Sequence, residues 1–475
     1  MENSRQFLKR LAGFSIGPIG AALLGFINVP VQTWLVDPNQ LGKAAMYTMA
    51  FQLTSLFLNL GIDQAYVREY NAEKDKKNLL WNTFLIPFIF SIIIMFVYLY
   101  FFEPISILLF DSVEKYIIQI LAFVLPFAII FRFNTLIIRM KEKAKLFSFV
   151  QIFHRLMTLG FTVIILLFFN RNFKGIIQAQ FFSMVSIAII TTIINLKDWI
   201  YKFRIDRKLV KKVILFGLPI IPASIMAWVL NSMDKIALRT WADFEAIGLY
   251  SAAFKIVGVV IIIQQAFATF WAPTVYRWYE SDTPLRKYEM VSNKLNSILT
   301  LVFAFIVLFK DQIVMILSPE YKEAAIIVPF LMFYPIMYTL SETTQMGIGF
   351  TRKTYYNIVV TGVAGGLNVL GNFLLVPQYG ALGASISTGL SYIVFFWLRT
   401  FISRMLWEKL DIKRHFVSIF LMVTMASFSV MYNNFYIDLI MFGLIFAYHF
   451  KDFLWGIKLF KQLIIEIKNK KKASE

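Results

Sequence analysis

The chain has 475 residues, of which 59% are hydrophobic and only 16% charged, against roughly 25% charged in a soluble domain. That composition excludes an ordinary soluble enzyme and places the chain in the integral-membrane class. It has no cysteine, which excludes disulfides and thiolate metal sites, and its three histidines, His154, His415 and His449, show no ligand spacing; no metal or cofactor is expected.

A hydrocarbon core of ~30 Å needs about 20 apolar residues per helix. Runs of that kind cover residues 11–36, 41–61, 79–102, 116–138, 146–169, 175–194, 213–232, 246–270, 291–309, 324–345, 355–376, 381–398, 416–431 and 436–450, which predicts an all-α integral membrane protein of about fourteen transmembrane helices. The first run is too long for a signal-peptide core and lacks a small-residue cleavage site, so it reads as a retained helix. Most of the 47 lysines and arginines fall in alternate connecting segments when the count starts from a cytoplasmic N-terminus. This pattern predicts a multi-pass protein of the cell membrane with both termini cytoplasmic. The net charge of +19 and pI near 9.7 are then topogenic rather than a nucleic-acid footprint. The tail KLFKQLIIEIKNKKK reads as an interfacial amphipathic helix with a polybasic end.

The longest inside segment, 195–212, reads as a linker, and the chain partly repeats itself on either side. FSIGPI at 14–19 answers to FGLPII at 216–221, and DPNQLG at 37–42 to DFEAIG at 243–248. The expected organisation is an N-terminal six-helix lobe over 1–194, the linker, a second six-helix lobe over 213–398, and two additional helices with a basic tail over 399–475. Repeats with an even number of spans share one membrane orientation, and substrate sits between them. Helix-breaking residues inside the runs, among them Pro18, Pro30, Pro87, Pro126, Pro219, Pro222, Pro273, Pro329 and Pro335, predict interrupted helices near a cavity.

Charges inside the runs carry the functional reading. Lys255 lies about nine residues from the end of its run, roughly 14 Å at 1.5 Å per residue, with Gly248, Ser251, Ala252 and Gly258 as helical neighbours. A lysine on lipid at that depth costs about 2.5–3.5 kcal/mol, so it is expected to face an interior. Arg155 shares a polar stripe with Ser148, Gln151, Thr158 and Thr162. Arg132 lies nearer the cytoplasmic surface, at an inner mouth. The acidic residues in reach, Asp63, Asp234 and Glu342, lie near helix ends. Together these predict a central cationic cavity in which Lys255, Arg155 and Arg132 bind an anionic substrate. The alternative is that Lys255 and Arg155 pair with buried carbonyls or a carboxylate and lock the halves together. Asp234, Lys235, Asp63, Glu342 and His154 are candidates for gating or coupling, with His154 equally readable as a neutral packing residue and Asp234–Lys235 as a surface pair.

The stretch LPIIPASIMAWVLNSMDKIALRTWADFEAIGLYSAAFKI, residues 218–256, resembles the seventh and eighth helices of the polysaccharide flippases of the Wzx kind. NVLGNFLLVPQYGALGASISTGLSY, residues 368–392, is similar to that family's asparagine-rich helix, proline-hydrophobic exit and Gly-x-x-Gly-Ala turn. The resemblance extends over essentially the full length. It implies the multidrug, oligosaccharidyl-lipid and polysaccharide exporter superfamily: two six-helix lobes in a V around a central cavity, alternating access, and transfer of a polyprenyl-diphosphate-linked oligosaccharide from the inner to the outer leaflet. The implied partners are that glycan, the lipid bilayer, a glycan polymerase and other assembly proteins. Lys255 matches a position where relatives carry basic residues. Fourteen helices resemble the lipid II flippases, but no arginine or lysine is buried in the first two runs, which speaks against a peptidoglycan precursor.

Two other functions compete. A membrane glycan polymerase would need a large outer loop with acid–base groups, and the longest outer loops here are short. A cation-coupled multidrug exporter of the same superfamily would need buried carboxylates, whereas the midspan charges here are basic. The chain also has no Gly-rich nucleotide-binding lysine motif, and it is read as a transporter rather than an enzyme.

Overall fold

The structure is a computed structural model describing residues 4–202 and 204–472; side chains are described from Gly17 onward, except at 203, 223, 227, 230, 231, 266, 457 and 459–475. All its regular elements are helices. In a bilayer no water is available to the backbone, so each segment must close its own hydrogen bonds. Described side chains of the expected basic tail end at Lys458, although its backbone continues as helix.

The chain divides into two compact units, Met1–Ala252 and Ala253–Glu475. The first contains α1 (Ser4–Thr33), α2 (Pro38–Asn59), α3 (Ile62–Glu69), α4 (Lys76–Tyr100), α5 (Phe102–Phe110), α6 (Lys115–Met140), α7 (Ala144–Phe168), α8 (Phe173–Ile194), α9 (Leu196–Trp199), α10 (Arg207–Gly217), α11 (Ile220–Trp241) and the start of α12 (Phe244–Glu280). The second continues through α13 (Leu285–Leu308), α14 (Lys310–Val314), α15 (Ala324–Leu331), α16 (Phe333–Thr344), α17 (Met346–Phe350), α18 (Tyr355–Leu406), α19 (Lys413–Tyr432) and α20 (Phe435–Lys472).

Helix starts are set by short acidic or amide caps. Asp37 accepts from Gln40 N, Asp75 from Lys77 N and Asn78 N, Asn172 from Lys174 N, and Asp243 from Ala246 N, each satisfying donors the first turn leaves open. Within the first unit α6 packs on α4 and α8, and α7 on α1 and α8. Tyr66, Leu125, Phe84 and Phe133 form a buried core there. The outer faces are apolar and uncovered: Ile89, Ile93 and Phe96 make one exposed stripe on α4, the spacing of a lipid-facing helix side.

Among the described residues ten helices are long and apolar enough to cross a membrane, or eleven if the bent pair α2–α3 is one span. The 52-residue α18 occupies both of the runs expected at 355–376 and 381–398. It turns back on itself at Gly380, where φ is 51° and ψ −127°. Asn368 Nδ2 donates to Thr388 Oγ1 at 3.0 Å across the resulting hairpin. Gly383 abuts the Leu375 carbonyl there, so closely that a side chain would not fit. The prolines behave differently from expectation. Pro18, Pro30, Pro87, Pro126, Pro273 and Pro329 lie inside uninterrupted helices. Of the expected prolines, Pro219 stands at a break and Pro222 and Pro335 in the first turn after one; the other breaks, Leu60–Gly61, Gln345 and Gly380, have no proline. Neighbouring helices and Ser/Thr side chains can satisfy a carbonyl that a proline frees, whereas a positive φ, as at Leu60 (49°) and Gly61 (68°), ends the helix outright.

The two added helices, α19 and α20, are held to α13 by polar groups. Lys294 Nζ bonds Asp452 Oδ1 at 2.6 Å, Arg414 bonds Asp452 Oδ2 at 3.1 Å, and the His449 ring bridges Ser297 Oγ (2.9 Å) and Ser418 Oγ (3.2 Å). Just past the other end of α13, at the start of α14, Lys310 Nζ bonds Asp438 Oδ2 at 2.8 Å, both side chains being 1% exposed, and lies 3.5 Å from the exposed Asp311 carboxylate. Breaking a buried pair leaves one charge uncompensated, at about 3–5 kcal/mol, whereas replacing both partners with apolar groups is near neutral. Lys310→Met is therefore expected to lower the thermal unfolding midpoint of the detergent-solubilised protein sharply, and Lys310→Met with Asp438→Leu to recover most of the loss. Equal losses in single and double variants would contradict this.

Candidate functional site

Arg155 stands at the midpoint of α7. Its side chain is exposed and has no ion-pair or hydrogen-bond partner among the described residues. Along the helix it falls between Ile152, packed on Gly20 of α1, and Thr158, whose hydroxyl bonds Ser183 Oγ of α8 at 2.8 Å. Ser148, one turn further back, accepts from Gly17 N at 3.0 Å. The polar stripe thus anchors α7 to both neighbours and leaves its one cation unpaired. His154 beside it is half-buried and packs edge-on to Phe131, ring centroids 5.0 Å apart.

Arg132 is not a bare cation. Its Nη2 and Nε reach Asp63 Oδ2 at 2.5 and 3.1 Å, with the Asp63 side chain 9% and that of Arg132 46% exposed. Asp63 lies in the first turn of α3, where the helix dipole favours a carboxylate. Asp234 is buried and accepts from the Tyr250 hydroxyl, and Lys235 is half-buried. Lys255 is half-buried in the second unit, next to the buried Ser251, Ala252 and Ile256; Gly258, expected on a packed face, looks onto open space.

Glu342 pairs with Arg399, Oε1 to Nη1 2.9 Å. Arg399 lies just past the run expected at 381–398, where the charge alternation predicts an inside connecting segment, yet it is 8% exposed within α18. The signal was the aromatic run SYIVFFWLRTFI, which continues past the arginine without a polar stop. Lys294, inside the run expected at 291–309, is neutralised by Asp452.

The repeat seen in the sequence becomes a reciprocal contact. A Cβ built on Gly42 would fall onto the Phe244 carbonyl, and one on Gly248 onto the Pro38 carbonyl. These are the sixth residue of each hexapeptide, DPNQLG and DFEAIG, against the second residue of the other. At the opposite end of α2 the Leu60–Gly61 turn meets Gly217: a Cβ on Gly61 would lie 2.7 Å from the Gly217 carbonyl oxygen, and one on Gly217 would strike that of Leu60. The α2 helix is therefore clasped at both ends, by contacts separated by about 28 Å along the axis. Each clasp carries a few ionic contacts. At the first, Arg239 bonds Asp111, and Lys43 lies over the Phe173 and Phe244 rings; at the second, Lys212 bonds Glu69, and Arg68 lies over Phe216.

Residues 8–278 match the family described as polysaccharide biosynthesis protein. A "probable low-salt glycan biosynthesis flippase Agl15" of Haloferax volcanii is 24% identical over 36% of this chain and 37% of its own length, so the chain spans little more than a third of that relative. Among solved structures, a lipid II flippase MurJ in an inward closed conformation superposes with a TM-score of 0.71 at 12% identity, over 94% of this chain and 99% of the other. An inward-facing MATE family multidrug resistance transporter of the MOP superfamily gives 0.60 at 15% identity, over 80% and 94%. These likenesses bear out the expected all-α membrane fold; among the described residues ten or eleven helices, rather than the fourteen expected, are long and apolar enough to span.

The first clasp is directly testable because the chain has no native cysteine. A cysteine at Phe244, a position only 8% exposed, should be protected from a membrane-impermeant thiol reagent. Adding Gly42→Leu should raise its labelling severalfold by driving the helix ends apart. Unchanged labelling would contradict the contact.

Proposed function

Because the chain belongs to the polysaccharide biosynthesis protein family, we propose that it carries a polyprenyl-diphosphate-linked oligosaccharide from the inner to the outer leaflet by alternating access. In this reading the lobes are 1–194 and 213–398, both termini are cytoplasmic, and other surface-polysaccharide assembly proteins consume the product. The observation that carries it is Arg155: a guanidinium at the middle of a span, without an acidic partner among the described residues. Lipid would charge it about 2.5–3.5 kcal/mol, so it serves a wet path and an anionic cargo. Arg155 and Lys255 hold the diphosphate and its sugars, Arg132 with Asp63 stands at the inner mouth, and the lipid tail stays in the bilayer.

The pairing of the acids supports this over a multidrug exporter. Asp63 is covered by Arg132, Glu342 by Arg399, and Asp234 is bonded by Tyr250. Such arrangements leave cationic rather than anionic surface for a ligand. The double clasp of α2 supports alternation, since its contacts join segments from either side of the 195–212 linker.

Mass spectrometry of polyprenyl-linked glycans tests the reading. Cells lacking the protein should accumulate a completed, lipid-linked glycan on the inner leaflet. Arg155→Ala and Lys255→Ala should each reduce rescue by about tenfold or more, the worth of a charge-assisted hydrogen bond, without loss of membrane insertion; Arg155→Lys should keep part of it. Normal export in both alanine variants would overturn the site, and absence of any accumulated glycan would overturn the function.

A further inference from the structure

We propose that the second unit holds a binding site for a single neutral sugar ring, apart from the basic side chains that take the diphosphate. The proposal rests on the glycan-export reading and gives it a source of sugar selectivity. A cavity of about 200 Å³ opens where the later part of α12, the α16–α17 break and the two ends of α18 converge. At about 30 Å³ per water molecule, it has the volume of roughly six or seven waters. That suits one pyranose ring and not an oligosaccharide.

The charges in the cavity cancel. Arg399 Nη1 donates to Glu342 Oε1 and to Ser341 Oγ, both at 2.9 Å, and its Nε to Asn357 Oδ1 at 3.2 Å. The guanidinium lies over the rings of Tyr338 and Phe395, at 5.6 and 5.1 Å from their centroids. It is therefore fixed in place, and the pair offers no net charge to a ligand. An anion meets the Glu342 carboxylate and a cation meets Arg399. What remains for a ligand is hydrogen-bonding capacity on planar groups: the second Glu342 oxygen, the Asn357 amide nitrogen and the Gln345 amide, none with a further partner among the described residues. Interleaved donors and acceptors of this kind match adjacent hydroxyls, each of which both donates and accepts.

The wall supplies the other half of sugar chemistry, a flat apolar face. Tyr276 is 48% exposed at the edge of the cavity, set edge-on to Phe350 with centroids 5.7 Å apart. It reaches that position because residue 349 is glycine; a Cβ there would strike the Tyr276 hydroxyl. An exposed aromatic ring with a polar tip covers a C–H face while bonding a hydroxyl. The frame is preformed: Thr344 and Thr400 hydroxyls bond at 2.6 Å, Gly347 N donates to Ser403 Oγ at 2.9 Å, and Trp271 Nε1 donates to the Glu342 carbonyl at 2.9 Å. Little ordering cost is left for binding.

Trp271 lines the cavity, so intrinsic tryptophan fluorescence of the full-length protein in nanodiscs is the readout, titrated with glucose, galactose, N-acetylglucosamine and, separately, inorganic pyrophosphate. At least one sugar should give a saturable change. That response should weaken tenfold or more in Gln345→Ala, Asn357→Ala and Tyr276→Ala but persist in Tyr276→Phe, and these variants should leave any pyrophosphate response unaltered. No saturable response to any sugar up to about 100 mM, or one that every variant retains, would overturn the site. Cells lacking the protein then separate the two ideas: accumulated lipid-linked glycan with no sugar binding overturns the pocket alone, whereas no accumulation overturns the export reading with it.

Discussion

One helix is gripped at both ends by backbone against backbone. At Gly42 and Gly248, and again at Gly61 and Gly217, carbonyl groups occupy the space a Cβ would take. Contacts of this closeness are short-ranged and lost on small displacement. The charges that accompany them, Arg239 with Asp111 and Lys212 with Glu69, involve a partner that is half or more exposed, and such pairs contribute little. Each grip is therefore specific in shape and weak in energy. That combination is what the proposed alternation would ask of such a contact, and the bend at Leu60–Gly61 offers a hinge for it.

The rest of the bonding is distributed differently. The seam of α13, α19 and α20 is held by pairs inside the protein, Lys310 with Asp438 and Lys294 with Asp452, joined through His449, Ser297 and Ser418. The Lys310–Asp438 pair is fully buried, whereas Lys294 keeps 24% of its side chain exposed; both pairs tie their helices together. Along α7 the first unit differs: among the described residues Arg155 has no acidic partner. Fixed structure is thus marked by paired buried charge, and the proposed path by basic side chains, of which Arg155 has no acidic partner among the described residues.

Much of this was legible in the sequence, for physical reasons. Apolar runs marked the helices because the bilayer permits few alternatives, and the Asp-capped hexapeptides marked the start of α2 and α12 because a cap and a close glycine contact each demand particular residues. The turn at Gly380 was visible in its glycine-rich surroundings. Other features were not. Prolines overstate interruption, since Pro87 and Pro126 sit in continuous helices, although Pro219 and Pro335 do mark breaks; Gln345, at another break, has no proline to announce it. Arg399 was read as a loop charge because only tertiary packing brings Glu342 and Asn357 to it. The reciprocity of Gly42 and Gly248 likewise belongs to the folded chain; the repeat hinted at equivalence but not at contact.

The two ends of α2 give the most direct test of alternating access. The native chain is free of cysteine, so a disulfide engineered across the Gly42–Phe244 contact can lock one end while the distance across the Gly61–Gly217 contact is measured by paired spin labels, alongside transport. Alternating access predicts that the unlocked end still opens and that transport stops until the disulfide is reduced. An unlocked end that stays shut, or transport that continues with one end locked, would contradict it.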